Sequence, residues 1–334
     1  VKENLRQTIS ILVLCQEQDY LEYGFVSGLL KSAHQENPKI TGKVIQVNSF
    51  SVQELETLKG VIVAEQGTPE TEVRYKGGKR EVKVLQALLP SVGSLPVKIK
   101  EDGVYLITGG AGGLGLIFAR HLNQVKGTRL VLTGRSEPTD AITALLNELP
   151  NATYYRCDVG DPEAVNELIE KISDRFSRLD GILHGAGVIR DSFIMKKIPE
   201  EISEVLRAKI SGVRNLDEAT RSAHLDFMVY FSSVSGVLGN LGQSDYASAN
   251  AYLDNYAVWR NGLVLTGERT GRTLSINWPL WKGVGMQIDS ESEQYLEKQW
   301  GMYPMPIAEG LNTFEKLLNC TVDQGIVVFG NESK

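Results

Sequence analysis

Cysteine is scarce in this chain. Cys15, Cys157 and Cys320 are far apart, odd in number and form no CxxC pair. That excludes a disulfide framework and suggests reduced, mostly packed thiols in a cytoplasmic setting. The four histidines form no HExxH motif and no Cys/His cluster, so no metal site is expected. No apolar run approaches the ~20 residues that a membrane span needs. The opening VKENLRQT carries neither a signal peptide nor an initiator methionine, which points to a segment of a longer polypeptide. An excess of positive charge is also missing. The net charge is −6, which argues against wholesale binding to nucleic acid.

What remains is an ordinary globular composition over 334 residues, long enough for two domains. The first block, 1–97, opens on ISILVLC (9–15), a strand, followed by a helical stretch, GFVSGLLKSAHQ. KVIQV (43–47) and VIVA (61–64) are predicted as further strands. TEVRYKGGKREVKVL alternates around Gly77-Gly78, the mark of a hairpin with a two-residue turn. The first strand runs into QEQDYLEYG without a glycine cluster, so this block has no phosphate loop and is expected to be a scaffold. SVGSLPVKIKEDG (91–103) is the expected linker.

The second block, 98–334, alternates strand and helix: VYLIT, RLVLT, TYYRCD, GILH, FMVYFS, TLSIN and IVVF are the strands. About seven mostly apolar strands separated by helices imply a doubly wound, Rossmann-type parallel sheet covered on both faces. The polar, methionine-dotted stretch 283–306 is placed like a mobile lid.

TGGAGGLG, comprising Thr108, Gly109, Gly110, Ala111, Gly112, Gly113, Leu114 and Gly115, joins a strand to a helix. Such a turn lets backbone approach a pyrophosphate at a helix N-terminus. The next strand ends LVLTGRS, giving Arg135 and Ser136 where an acidic residue would bind a ribose 2′-hydroxyl. An arginine there suits a 2′-phosphate and favours NADPH. Asp158, with Val159 beside it, is placed to bind adenine. In HGAG, Gly185, Ala186 and Gly187 would let backbone pass the nicotinamide ribose, while His184 reads as a packed strand end. NWPLW, through Pro279 and Leu280, is a candidate for holding the carboxamide.

QSDYASANAYLD (243–254) looks like the start of the catalytic helix of short-chain reductases. There a lysine usually follows the tyrosine four residues on; here Tyr246 is followed by Asn250, on the same helix face. A phenol with an ordinary pKa near ~10 needs a nearby cation to act at neutral pH. The candidates are Lys209 in EVLRAKISGVRNL, Lys196, Lys197 and Arg207. FSSVSG supplies Ser232 or Ser233 as a hydroxyl near the tyrosine.

TGGAGGLG, LTGRS, HGAGV, AKISGVRNL, FSSVSGVLGNLGQSDYASANAYLD and NWPLW together resemble the ketoreductase domains of modular polyketide synthases. SGLLKSAHQENP and EVRYKGGKREV resemble the truncated Rossmann-like structural subdomain of that family, so the likeness covers nearly the whole chain. NWPLWK and Ile189-Arg190-Asp191 look most like synthases whose acyltransferases act in trans. The resemblance implies that lysine and asparagine have exchanged places. The family lysine falls on Lys209, the serine on Ser233, the tyrosine on Tyr246 and the asparagine on Asn250. Tyr246 would protonate the reduced carbonyl, Ser233 would help hold it, Lys209 would stabilise the phenolate, and Asn250 would orient Lys209 or a relay water.

Asp191, Leu238 and Gln243 are then expected to orient the substrate. Asp191 matches the last position of the Leu-Asp-Asp triplet that marks family members making D-hydroxy products. Leu238 stands where the opposite class has tryptophan, so a D-alcohol is expected. The implied partners are neighbouring synthase domains and an acidic acyl carrier protein, with Arg190, Lys196 and Lys197 as a basic cluster to meet it. The competing expectations are a free-standing NADPH reductase for a small ketone and a silent dinucleotide-binding scaffold.

Overall fold

ISILVLC forms β1 (Ile9–Gln16), which pairs in parallel with β2 (Ile40–Val47), Ile9 opposite Ile40 and Gln16 opposite Val47. The computed structural model describes residues 8–88, 97–285, 293–294, 296–298 and 301–331. The expected linker, 91–103, lies outside the described residues over 91–96, as does much of the expected lid, at 286–292, 295, 299 and 300.

The chain divides into two units. The first gathers Val1–Pro90, Ile189–Leu206 and Ser235–Tyr256. Its sheet continues from β2 to β3 (Glu72–Lys76), parallel, and then to the antiparallel β4 (Lys79–Val82). The hairpin turn is Gly77-Gly78, with φ of +57° and +75°. Two successive positive φ values are what a tight turn with the right-handed twist of its strands requires. α1 (Tyr20–Tyr23) and α2 (Val26–Glu36) follow β1 without any glycine loop.

VIVA is not a strand. It closes α3 (Leu55–Glu65). The β-branched residues look strand-like, but LETLK ahead of them favours helix, and Leu58, Val61 and Glu65 share one buried face at helical spacing. The helix penalty of β-branching is a few tenths of a kcal/mol per residue, which packing overrides. The buried Glu65 carboxylate accepts from Lys43 Nζ and Arg80 Nε, both at 2.6 Å, and from the Tyr75 hydroxyl.

In this unit α2 lies against the first turns of α5 (Ser244–Leu265). A Cβ on Gly28 would come within 2.5 Å of the Ala247 carbonyl oxygen, so only glycine allows that approach. Glu36, at the end of α2, accepts the amides of Ile194 (2.8 Å) and Gly242 (3.1 Å). One carboxylate thus fastens the two late segments to the first block.

The second unit gathers Ser91–Val188, Arg207–Val234 and Ala257–Lys334. Its seven strands are all parallel: β5 (Val104–Thr108), β6 (Arg129–Gly134), β7 (Ala152–Arg156), β8 (Gly181–His184), β9 (Phe227–Ser233), β10 (Arg272–Trp278) and β11 (Gln324–Ile326). They stand in the order β11-β10-β9-β8-β5-β6-β7, so the winding reverses between β5 and β8. Ligands of open α/β sheets bind at the carboxyl ends of strands beside such a reversal. Phe118 of α4 (Gly113–Leu122) centres the core, its ring 4.7 Å from Phe231 and 5.0 Å from Phe314.

IVVF starts too late for the last strand, which ends at Ile326. Beyond it the chain turns to pair Gly330 with Met302, and the Phe329 carbonyl accepts the Tyr303 amide. Among the described residues, no helix is long and apolar enough to cross a membrane.

Candidate active site

The glycine turn after β5 is built by close approach. Gly109 has φ +67°, and a Cβ on it would lie 2.7 Å from the Gly185 carbonyl oxygen. A Cβ on Gly115 would meet the Gly109 carbonyl oxygen at 2.5 Å, and one on Gly113 would meet Val284 at 2.9 Å. α4 starts behind Gly112 with no side chain capping its amides. Uncapped amides at a helix N-terminus suit a phosphate. Glycines that hold the chain tight over this turn and an open helix start together fit a dinucleotide pyrophosphate.

Thr108 is fully buried and ties the two turns together. Its hydroxyl accepts the Ala186 amide (3.3 Å) and lies 2.8 Å from His184 Nδ1, an arrangement that suits donation to a neutral ring. Burial first, and the Lys209 charge second, push His184 down to about 3. The histidine is therefore a neutral packing residue, as the strand-end position suggested.

Arg135 and Ser136 are exposed at the end of β6. Their carbonyls accept from Arg156 Nε and the Tyr154 hydroxyl. Asp158 accepts the Gly160 amide at 2.9 Å and pairs with Arg207 Nη1 at 3.0 Å, while Val159 is buried beside it. Pro279 is buried and Leu280 half-buried, the latter accepting the Met305 amide through its carbonyl.

The four candidate cations separate clearly. Arg207 is engaged by Asp158, Lys196 is exposed, and Lys197 forms a buried ion pair with Asp245 at 2.8 Å. Lys209 is 3% exposed and donates to the Phe231 carbonyl at 2.8 Å. It sits in a π-helical stretch, Arg207–Ser211, that leads into the helix Gly212–Ala219. π-turns recur at functional sites. A Cβ on Gly187 would lie 3.7 Å from its Nζ, which places the ammonium beside the HGAG turn.

The two serines differ as well. Ser232 is buried, and its Oγ accepts from Asn277 Nδ2 at 3.0 Å. Ser233 is half-buried, and only its carbonyl takes the second Asn277 bond, at 2.8 Å. Asn277, held in turn by Gln324, opens the NWPLW motif, of which the sequence pointed only to Pro279 and Leu280.

In the first unit, Tyr246 is half-buried on α5, and Asn250 Nδ2 donates to its carbonyl at 2.7 Å. Asp191 is exposed, and its Oδ2 accepts from the buried Gln243 at 2.9 Å, whose other end is held by Asn240. Leu238 is half-buried, its carbonyl bound by Gln35.

The basic cluster expected at Arg190, Lys196 and Lys197 is not there. Lys197 is buried against Asp245, and Arg190 pairs with Glu204 at 2.8 Å, which leaves Lys196 as its one exposed lysine. Charge counting along a sequence misses acidic partners that arrive from distant segments. No cluster of possible metal ligands occurs among the described residues.

Comparison with known proteins identifies the family. The KR domain model matches residues 103–283. The chain is 39% identical over 97% of its length to polyketide synthase PksN of Bacillus subtilis (strain 168), and 41% identical over 86% to PksL of the same organism. It spans about 6% of the length of each of these relatives. Among solved structures, a ketoreductase domain from the bacillaene assembly line superposes with a TM-score of 0.90 at 38% identity, covering 99% of this chain and 80% of that one. An N-terminal ketoreductase from the macrolactin assembly line gives 0.82 at 34% identity, covering 98% and 64%. With the glycine turn, the buried lysine and the two-sheet architecture all in place, the chain belongs to the KR family, the ketoreductase domains of polyketide synthases, which are oxidoreductases of the short-chain dehydrogenase/reductase type.

Proposed function

We propose that this domain uses NADPH to reduce a ketone, at the β position of an acyl chain tethered to an acyl carrier protein, to a D-hydroxyl. Thr108 to Gly115, Arg135, Ser136, Asp158, Val159, Gly185, Ala186, Gly187, Pro279 and Leu280 would hold the cofactor, which supplies the hydride. Ser233 and Tyr246 donate hydrogen bonds to the carbonyl oxygen, and Tyr246 gives up its phenolic proton as negative charge develops there. Lys209 stabilises the phenolate through its positive charge, and Asn250 orients that lysine or a relay water. Asp191, Leu238 and Gln243 set which face of the ketone is presented.

The observation that carries this reading is the buried Lys209 ammonium, fixed on the Phe231 carbonyl beside the HGAG turn. A lysine is rarely buried unless it is paired or used. The neighbouring domains of a synthase are the proposed partners, because the chain spans only about 6% of its polyketide synthase relatives. Three free cysteines support a cytoplasmic setting.

The test is turnover of a 3-oxoacyl thioester, free and carrier-bound, with chiral analysis of the alcohol. Tyr246→Phe should lower kcat by roughly 10²–10⁴-fold while NADPH binding survives. A near-normal rate in that variant, or an L-alcohol from the unaltered enzyme, would refute the assignment.

A further inference from the structure

Lys197 offers no chemistry at first sight, yet it is one of the most deeply buried cations in the first unit, with its side chain 2% exposed. Its ammonium donates to the Arg190 carbonyl at 2.7 Å and pairs with Asp245 Oδ1 at 2.8 Å. Arg190 directly precedes Asp191, and Asp245 directly precedes Tyr246. The same Oδ1 also accepts the Tyr246 amide at 2.8 Å. One ammonium therefore joins the backbone ahead of the orienting aspartate to the carboxylate that caps the tyrosine's own amide.

The surroundings lock the two segments in register. The Ser192 amide donates to the Gly242 carbonyl at 2.9 Å, and Gln243 reaches Asp191 at 2.9 Å. The Lys197 amide bonds the Phe193 carbonyl, closing the loop that carries Asp191 back onto the lysine. Asp245 Oδ2 is buried without a hydrogen-bond partner among the described residues. Leaving a buried carboxylate oxygen unsatisfied is costly, so the pair is poorly explained as a simple stabiliser. Stability alone would be served as well by apolar residues of similar volume.

We infer that Lys197 is a positioning residue: through Asp245 and the Arg190 carbonyl it fixes Asp191 and Tyr246 relative to one another, and so sets the facial selectivity of the reduction. This rests on the proposed roles of Asp191 and Tyr246. A carboxylate and a phenol that must act on one carbonyl have to be held together to within a fraction of an ångström, because displacement by about 1 Å costs around 10²-fold in rate.

The experiment uses the double variant Lys197→Met with Asp245→Asn. It removes the bridge without stranding a buried charge, and the asparagine keeps an oxygen for the Tyr246 amide. A free 3-oxoacyl N-acetylcysteamine thioester serves as substrate, and kcat, KM, NADPH affinity, melting temperature and the D:L product ratio are measured. The expected result is a cooperatively melting protein that binds NADPH as the parent does, turns over about 10²-fold more slowly and has a D:L ratio at least about tenfold lower. A purely structural pair would change the melting temperature and leave the ratio alone. A folded variant that keeps the parental ratio overturns the inference, whatever its rate. Should the double variant not melt cooperatively, Asp245→Asn alone is judged by the same ratio. An L-alcohol from the parent, or an active Tyr246→Phe enzyme, is a separate outcome that sinks the roles of Asp191 and Tyr246 and the inference with them.

Discussion

Lys209 Nζ donates to the carbonyl of Phe231 at 2.8 Å, from a π-helical turn rather than from the helix that carries Tyr246. The cation is thereby anchored near the carboxyl end of strand β9 and owes its position to the sheet. Replacing it by methionine keeps most of the stem's packing and removes the charge together with its hydrogen bond to Phe231. Lys209→Met should lower kcat by roughly 10²–10³-fold, the scale seen when one electrostatic stabiliser is lost. NADPH affinity should change little. Steady-state kinetics beside a cofactor titration checks both, and turnover within about tenfold of the parent would remove the lysine from the mechanism.

Asn277 holds the two serines at the end of β9 by different atoms. Its amide donates to the Ser232 hydroxyl and to the Ser233 carbonyl. Ser232→Ala should destabilise the domain by about 1 kcal/mol and leave kcat nearly intact. Ser233→Ala should do the reverse. Urea unfolding and initial rates, run on both variants, give the comparison, and equal behaviour of the two would contradict it.

The glycines of the turn after β5 are unequal. A Cβ on Gly115 would strike the Gly109 carbonyl at 2.5 Å, whereas one on Gly112 would meet the same atom only at 3.2 Å. A backbone oxygen cannot swing away as a side chain can. Gly115→Ala should weaken NADPH binding at least about tenfold, since the helix N-terminus must shift away from the pyrophosphate position. The effect of Gly112→Ala should be smaller. Cofactor fluorescence titration orders the two.

His184 carries a pH signature that has nothing to do with catalysis. Its ordinary value of 6.5 is pushed down to about 3 in the folded protein, first by burial and then by the Lys209 charge. Between those values the unfolded chain binds the extra proton and the native one does not. Stability therefore falls as pH drops from about 6.5 toward about 3, by up to about 1.4 kcal/mol per pH unit from this group. His184→Gln should flatten that part of the stability profile, measured by urea unfolding at stepped pH.

The sequence already carried most of the second sheet, because strands buried on both faces leave continuous apolar runs such as VYLIT and RLVLT. The glycine turn, the GG hairpin and the packed strand-end place of His184 were equally visible, each tied to a local backbone or burial demand. What stayed hidden depended on distant partners. VIVA is helical because Leu58, Val61 and Glu65 bury one helix face, with Lys43 and Arg80 reaching the Glu65 carboxylate from elsewhere in the chain. Lys197 lost its apparent place on the surface because Asp245, 48 residues on, neutralises it. The partner of the Ser232 hydroxyl, Asn277, came from another strand.

The clasp formed by Glu36 has a practical corollary for anyone recombining such modules. Because α2 and that single carboxylate hold the amides of Ile194 and Gly242, a cut near residue 97 would sever the later loops from their anchor. Chimeras that exchange only the cofactor-binding half should thus inherit loosened stereocontrol, whereas transplants that carry the leading sheet along should breed true.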